Sequence, residues 1–420
     1  MYQKETLDNG LRLFTAAMPH TRSVSICIFV GVGSRYETGK WAGVSHFIEH
    51  MCFKGTSKRP TPKEISAAIE GVGGVVNGGT DKELTLYWSK VARPHFPLAL
   101  DVLVDMLLNS SFNPDDVERE RQVIIEEINM THDFPHQQVG MLIDELLWPG
   151  HPLGRDIAGS KESVAAISRD MMLEFLQGQY LPADTVIAIA GDIQHQEVVE
   201  HIDQILGKWV NQRSRAAFLP YEEQPNPRIQ VECRDTEQTH LCLALPGLSI
   251  FHPKRFTLDL VNTILGEGMS SRLFLEIRDR LGLAYSIHSY VEHFHDSGSI
   301  TVYAGVEHKN LEVVIRAILE QLALIKEPVP EAEITKAKEL SKGRLLLRME
   351  DSRSVAGWAG AQEVLTGHVL SVEDVVSNID AITSEEISGL ARELLTGNQL
   401  RLAVVGPVTA DEHLEGLLKL

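Results

Sequence analysis

The chain has 420 residues, 43% of them hydrophobic and 23% charged, which allows two or three globular domains with large cores. A formal net charge of −19 argues against a nucleic-acid partner, because phosphate binding requires clustered Lys and Arg. Without a visible secretory signal or an apolar run of membrane-spanning length, we expect no membrane partner. The four cysteines form no close pair, which favours a reducing compartment and predicts a cytoplasmic protein.

Two strands are predicted first, over residues 10–15 and 23–30, because both stretches are rich in β-branched and aromatic residues. Gly31 and Gly33 follow the second strand. This segment lacks a third glycine and a Lys-Ser/Thr pair, so it is interpreted as a turn. A phosphate-binding loop is therefore not expected here.

The segment Trp41–Gly55 predicts a helix that places His46, Glu49 and His50 on one face. Two imidazoles one turn apart can bind one metal ion, and zinc suits nitrogen ligands. A catalytic zinc typically takes three protein ligands and a water, so the third ligand has to come from elsewhere in the chain. The carboxylate between the histidines is free to accept a proton from that water. The order His-x-x-Glu-His is that of the inverted zinc peptidases.

A glycine-rich segment separates this motif from the next candidate acids. Thr61 to Glu64 form a predicted capping box that starts a helix ending near Glu70. Residues 71–80 then lead into a predicted strand over 83–91, whose apolar positions alternate. Glycines beside or within a strand often mark a bulge or the close approach of another backbone.

A later helix supplies two candidate acids. It is predicted over residues 113–131, with Asn113 as N-cap and Pro114 at the first helical position. Glu120 and Glu127 lie two turns apart on one stripe of this helix. A charged stripe is usually a solvated face, and a motif with three fixed positions also arises by chance. Neither segment alone therefore establishes a metal site.

The second half of the sequence repeats the first. Residues 400–406 match residues 186–191, and an amphipathic helix follows each. The polar, proline-containing segment 211–228 predicts a linker between domains at residues 1–210 and 229–420. The sequence thus predicts an α+β protein of two homologous α/β-sandwich-like domains, each a mostly antiparallel sheet packed with helices. The second domain contains no His-x-x-Glu-His motif.

Three features together resemble the pitrilysin family of zinc peptidases, in its two-domain bacterial branch related to the mitochondrial processing peptidase. They are the His-x-x-Glu-His motif, the Phe-Lys-Gly-Thr segment at 53–56, and the two acids of the later helix. The resemblance implies that one zinc ion per chain is bound by His46, His50 and Glu127. It also implies that Glu49 is the general base.

The resemblance further implies roles for residues that do not bind the ion. Glu120 would orient a metal ligand, as the hydrogen-bond partners of metal ligands commonly do. The segment that contains Asn77 and Gly78 would be an edge strand, to which a substrate peptide adds by β-augmentation. In the second half, Arg278 and Tyr285 would contact the substrate near the scissile bond, where they can stabilise an oxyanion.

Active assemblies of the resembled family comprise four such domains. This implies a homodimer in which each protomer lends Arg278 and Tyr285 to the zinc site of the other. The resulting hypothesis is a zinc endopeptidase that hydrolyses unfolded peptides or presequence-like segments inside a closed chamber. The alternative is a non-catalytic structural or partner subunit of a processing-peptidase-like complex. Such members usually lose one or more metal residues, whereas this chain keeps them, so the enzyme is favoured.

Overall fold

The computed structural model describes residues 2–210, 217–224, 227–409 and 412–420. Within these ranges, eleven strands form two sheets. The strands of the first sheet are β1 (Gln3–Thr6), β2 (Arg12–Ala17), β3 (Ser23–Val30), β4 (Val75–Thr80), β5 (Thr85–Ala92) and β6 (Thr185–Gly191). The strands of the second sheet are β7 (Ile229–Cys233), β8 (Thr239–Pro246), β9 (Ala284–His293), β10 (Gly298–Val306) and β11 (Arg401–Gly406).

Helices follow or separate these strands along the chain. They are α1 (Val44–Cys52), α2 (Pro62–Glu70), α3 (Phe96–Asn109), α4 (Pro114–Asp133), α5 (Pro135–Leu147), α6 (Lys161–Ala166), α7 (Arg169–Gln179), α8 (His195–Leu206), α9 (Arg255–Gly266), α10 (Leu311–Leu324), α11 (Glu331–Arg348), α12 (Ser352–Thr366), α13 (Val372–Ala381), α14 (Ser384–Leu394) and α15 (Glu412–Leu417). A π-helical segment, Phe274–Arg280, precedes β9. Among the helices in the described ranges, none combines the length and apolar composition that a membrane crossing requires.

Apart from the additional edge strand β1 of the first sheet, the two sheets share one strand order. The first runs β1-β2-β6-β3-β5-β4 and the second runs β7-β11-β8-β10-β9. The pairs β2/β6 and β7/β11 are parallel, and the remaining pairs are antiparallel. Strands β6 and β11, which contain the matching sequences found above, occupy equivalent places. The predicted α+β class, with two homologous and mostly antiparallel sheets packed with helices, is therefore confirmed.

The chain forms two compact units, and both are discontinuous in sequence. Unit 1 comprises Met1–Ile128, Asp156–Leu219 and Leu346–Ser371, and unit 2 comprises Asn129–Arg155, Pro220–Leu345 and Val372–Leu420. The predicted domain boundaries at residues 210 and 229 separate the two sheets. Helix α5, however, precedes these boundaries and belongs to unit 2, and helix α12 follows them and belongs to unit 1. Part of the predicted linker, residues 211–216 and 225–226, lies outside the described residues.

Burial explains why these two helices join the unit of the opposite sequence half. In unit 2, Val139 and Ile143 of α5 are buried in one cluster with Cys242 of the second sheet. In unit 1, Ala356 of α12 is buried in one cluster with Phe29 of the first sheet. Each helix therefore covers a sheet face that would otherwise leave its apolar residues in water.

Candidate metal centre

Helix α1 carries the predicted motif on the side away from the core of unit 1. Its apolar residues recur at the spacing of one helical face and are fully buried: Val44, Phe47, Ile48 and Met51. This burial fixes the rotation of the helix, because any other orientation would expose these side chains. His46, Glu49 and His50 are consequently held together, with ligand atoms within 4.8 Å of one another.

Helix α4 brings the two predicted acids to this motif. Val117, Ile124 and Ile128 are buried in the same core as α1 and hold the helix against it. Glu120 and Glu127 flank this apolar stripe, since both lie three or four residues from Ile124. The two acids therefore lie beside α1 rather than on a fully solvated face, and Glu120 is itself buried.

Three atoms of this cluster fit one zinc ion. Glu127 Oε2 lies 3.5 Å from His50 Nε2 and 3.8 Å from His46 Nε2. The two Nε2 atoms lie 3.1 Å apart. Tetrahedral zinc with bonds of about 2.0–2.2 Å places neighbouring ligand atoms roughly 3.3–3.6 Å apart. Because the three measured separations bracket this range, His46, His50 and Glu127 form a suitable donor set for zinc.

Glu49 lies close enough to compete for the third ligand position, but it is directed elsewhere. Thr80 Oγ1 donates to Glu49 Oε2 at 3.5 Å, which connects the carboxylate to strand β4. A Cβ atom at Gly78 would lie only 2.7 Å from Glu49 Oε1, so the glycine leaves the space that the carboxylate occupies. Glu49 thus lies against β4, which favours Glu127 as the ligand and leaves Glu49 for proton transfer.

Glu120 fixes the orientation of His50. Its Oε1 lies 2.8 Å from His50 Nδ1, and its Oε2 lies 2.7 Å from Lys54 Nζ. Burial acts to raise the pKa of Glu120, but the hydrogen bonds from His50 and Lys54 outweigh it and hold the pKa below its usual value. In the neutral imidazole, a hydrogen bond from Nδ1–H to this carboxylate leaves the lone pair of His50 on Nε2. This is the tautomer that a metal ligand at Nε2 requires.

Burial also shifts the pKa values of the other two groups of the motif, His46 and Glu49. Burial, with a smaller effect from His50, lowers the pKa of His46 to about 4, so this imidazole is neutral at physiological pH and able to bind metal. Burial raises the pKa of Glu49, while His50 and Thr80 act in the opposite direction. A carboxyl group whose pKa is shifted toward neutrality is better suited to accept and return a proton.

Strand β4 forms one edge of the first sheet and contains Asn77 and Gly78. Asn77 Oδ1 accepts a hydrogen bond of 2.8 Å from the backbone N–H of Gly78. An edge strand offers backbone groups that can pair with an added peptide. Within the described residues β4 pairs with β5 alone, so its outer edge is open, and Gly78 brings this edge beside the candidate base Glu49.

Arg278 and Tyr285 lie in unit 2, whereas the histidine cluster lies in unit 1. The guanidinium of Arg278 stacks over the rings of Phe274 and Tyr285, at 4.7 Å and 4.9 Å from their centroids. Tyr285 is the extra residue of a β-bulge between β9 and β10, and it is 76% exposed. The structure therefore brings these two residues together as an exposed pair. Their contact with a substrate stays a prediction.

Two further residues contact the acids of the centre, although neither was predicted as a site residue. Lys54 contacts Glu120, and Thr80 contacts Glu49. Lys54 lies two residues beyond the end of α1, and the only sequence signal for it was its place in the Phe-Lys-Gly-Thr segment at 53–56. For Thr80 no such signal exists, because its contact depends on the packing of β4 beside α1.

Comparisons with known proteins agree with this geometry. Residues 12–161 match the family model described as Insulinase (Peptidase family M16), and residues 166–341 match the model described as Peptidase M16 inactive domain. An uncharacterised zinc protease of Bacillus subtilis is 35% identical over 408 residues, covering 97% of this chain and 98% of that protein. An uncharacterised zinc protease of Mycobacterium leprae is 38% identical over 424 residues, covering 99% and 94% respectively.

Among solved structures, a protease from Helicobacter pylori shares the fold, with a TM-score of 0.90, 22% identity, and coverage of 97% of this chain and 99% of that one. The first family model covers the half with the His-x-x-Glu-His motif, and the second model covers much of the half without it. The predicted resemblance is thus confirmed by relatives that span nearly the whole chain. The chain belongs to peptidase family M16, the insulinase or pitrilysin family.

Proposed function

We propose that this chain is a zinc endopeptidase that hydrolyses unfolded peptides. One observation carries the proposal: His46 Nε2, His50 Nε2 and Glu127 Oε2 lie 3.1–3.8 Å from one another. The carboxylate of Glu49 lies beside them and against an open strand edge. The zinc-protease names of relatives that span the chain support the same class.

A zinc ion held by His46, His50 and Glu127 would supply Lewis-acid chemistry, acidifying water and polarising the substrate carbonyl. Glu49 accepts one proton from the attacking water while the water oxygen bonds to the carbonyl carbon. As the C–N bond breaks, Glu49 returns that proton to the departing amine nitrogen. Glu120 keeps His50 oriented throughout, because its hydrogen bond to Nδ1 holds the ring.

Strand β4 is the basis for a preference for unfolded peptides. A peptide that pairs with Asn77 and Gly78 must offer an extended, unpaired backbone, which a folded protein has already used in its own sheets and helices. Such a peptide would pass beside Glu49, which borders Gly78. The exposed Arg278 and Tyr285 pair would supply a guanidinium and a phenol to the developing oxyanion.

The function is tested by removing and restoring the metal. We expect the purified chain to cleave an internally quenched, unstructured peptide, to lose this activity after chelation, and to regain it with about one zinc ion per chain. Addition of chelator that is already saturated with zinc serves as the control and should leave turnover unchanged. Turnover that persists without zinc would contradict the mechanism. Zinc binding without turnover would instead support the non-catalytic subunit.

We further propose that two chains form a homodimer that encloses a chamber, with Arg278 and Tyr285 of each chain serving the zinc site of the other. One sequence carries both the metal residues and this exposed pair, so no second kind of chain is needed. Sedimentation at assay concentrations should show a dimer whose dissociation on dilution reduces turnover. A monomer with full activity would contradict the shared site.

A further inference from the structure

Helix α1 begins without a capping side chain of its own. Its N-cap residue is Gly43, which lies in the left-handed region with φ of 92°. The first N–H groups of a helix have no intrahelical partner and need another acceptor. In α1 they meet the carboxylate of Glu37, six residues before the N-cap. Glu37 Oε2 accepts from the Gly43 N–H at 2.8 Å, and Oε1 accepts from the Ser45 N–H at 2.8 Å.

This distant cap is required because the N-cap position has no room for a side chain. A Cβ atom at Gly43 would lie 2.3 Å from the carbonyl oxygen of Ala158. The Ser, Thr, Asp or Asn that usually cap a helix are therefore excluded there. Glu37 supplies the missing acceptor and is only 3% exposed, so water screens its charge weakly. A carboxylate at a helix N-terminus also interacts favourably with the helix dipole.

The cap acts next to the first candidate ligand. Ser45, whose N–H it accepts, directly precedes His46 in a helix of only nine residues. The ring of His50 is held by Glu120. In contrast, Nδ1 of His46 is buried and has no hydrogen-bond partner within the described part of the chain. The position of His46 thus depends on the backbone at the start of α1, which Glu37 fixes.

We propose that Glu37 is a positioning residue of the metal centre, which holds the start of α1 so that His46 meets His50 and Glu127 at one zinc ion. The inference rests on the proposed zinc site, and it does not depend on the catalytic step. Glu37 touches neither the ion nor the substrate in this scheme, and its effect on zinc passes through the backbone of Gly43 and Ser45.

The test is the zinc affinity of Glu37→Gln, measured by competition with a chromogenic chelator. The amide loses the charge and turns an NH₂ group toward one of the two backbone N–H donors. We expect the dissociation constant for zinc to rise about 10–100-fold, as when hydrogen-bond partners of metal ligands are removed. Glu64→Gln is the matched control, because Glu64 caps the start of α2, which carries no ligand. Its zinc affinity should stay within about twofold of wild type.

Unfolding of the metal-free variants is measured in parallel. If Glu37 were merely structural, Glu37→Gln would lower the unfolding midpoint and leave the zinc affinity of the folded protein unchanged, which would overturn the proposal. If the glutamine variant does not fold, Glu37→Asp is measured in its place. Its shorter side chain keeps the charge but reaches the N–H groups of Gly43 and Ser45 less well, so its zinc affinity should also fall. An aspartate variant with wild-type zinc affinity would also overturn it. A wild-type chain that binds zinc but cleaves no peptide would refute the proposed function and leave this inference intact, whereas a chain that binds no zinc would refute both.

Discussion

Glu49→Gln should reduce kcat/KM for an unstructured peptide by about 10²–10⁴-fold, the range typical of a lost general base, and should leave the bound zinc unchanged. Glutamine has the same shape but no basic oxygen, so the attacking water keeps its proton. Zinc should remain because the proposed ligands His46, His50 and Glu127 are untouched. Peptide cleavage and metal content are measured on the same zinc-loaded sample.

Two controls make this result specific to proton transfer. Burial raises the pKa of Glu49, so a neutral amide at this position should not lower the midpoint of thermal unfolding. Glu70→Gln makes the same chemical change at an exposed acid of unit 1 and should keep wild-type turnover. Wild-type turnover by Glu49→Gln would refute its role as the base. Loss of zinc together with activity would instead make Glu49 a metal ligand.

The local parts of the centre could be predicted from the sequence because they depend on helical spacing and capping chemistry. The capping box of Thr61 and Glu64 forms as predicted and starts a helix that ends at Glu70. The helix predicted over residues 113–131 is observed as Pro114–Asp133, with a proline at its first position. One turn of α1 likewise places His46 and His50 together. These features need no knowledge of the remaining fold.

The long-range parts could not be derived from such patterns. The approach of Glu127 to the histidines depends on how α4 packs in the core of unit 1, and only the family resemblance pointed to it. The contact between Gly78 and Glu49 depends on β4 lying beside α1. Periodicity shows that a helix has an apolar face, but it does not identify the sheet that the face covers. For this reason the sequence did not predict that α5 packs in unit 2 and α12 in unit 1.

Glu127→Gln should release most of the zinc and abolish activity at limiting metal. The carboxylate oxygen lies 3.5 Å and 3.8 Å from the two Nε2 atoms, and a neutral amide oxygen is a much weaker donor for zinc. We expect the zinc affinity to fall by more than about 100-fold, beyond the range for losing a hydrogen-bond partner of a ligand. Glu126→Gln changes the next, exposed residue of α4 and should bind zinc like wild type.

Glu120→Gln provides an intermediate case that separates a ligand from its supporting partner. All three proposed ligands remain in this variant, but His50 Nδ1 loses its carboxylate acceptor, so the zinc affinity should fall about 10–100-fold. Activity should then return at high zinc concentration, because all three ligands and the general base are intact, whereas Glu127→Gln lacks one ligand and should need a still higher zinc concentration. If Glu127→Gln kept wild-type zinc affinity, the third ligand would have to be Glu49, which shares the cluster with both histidines. The assignment of ligand and base to these two carboxylates would then be reversed.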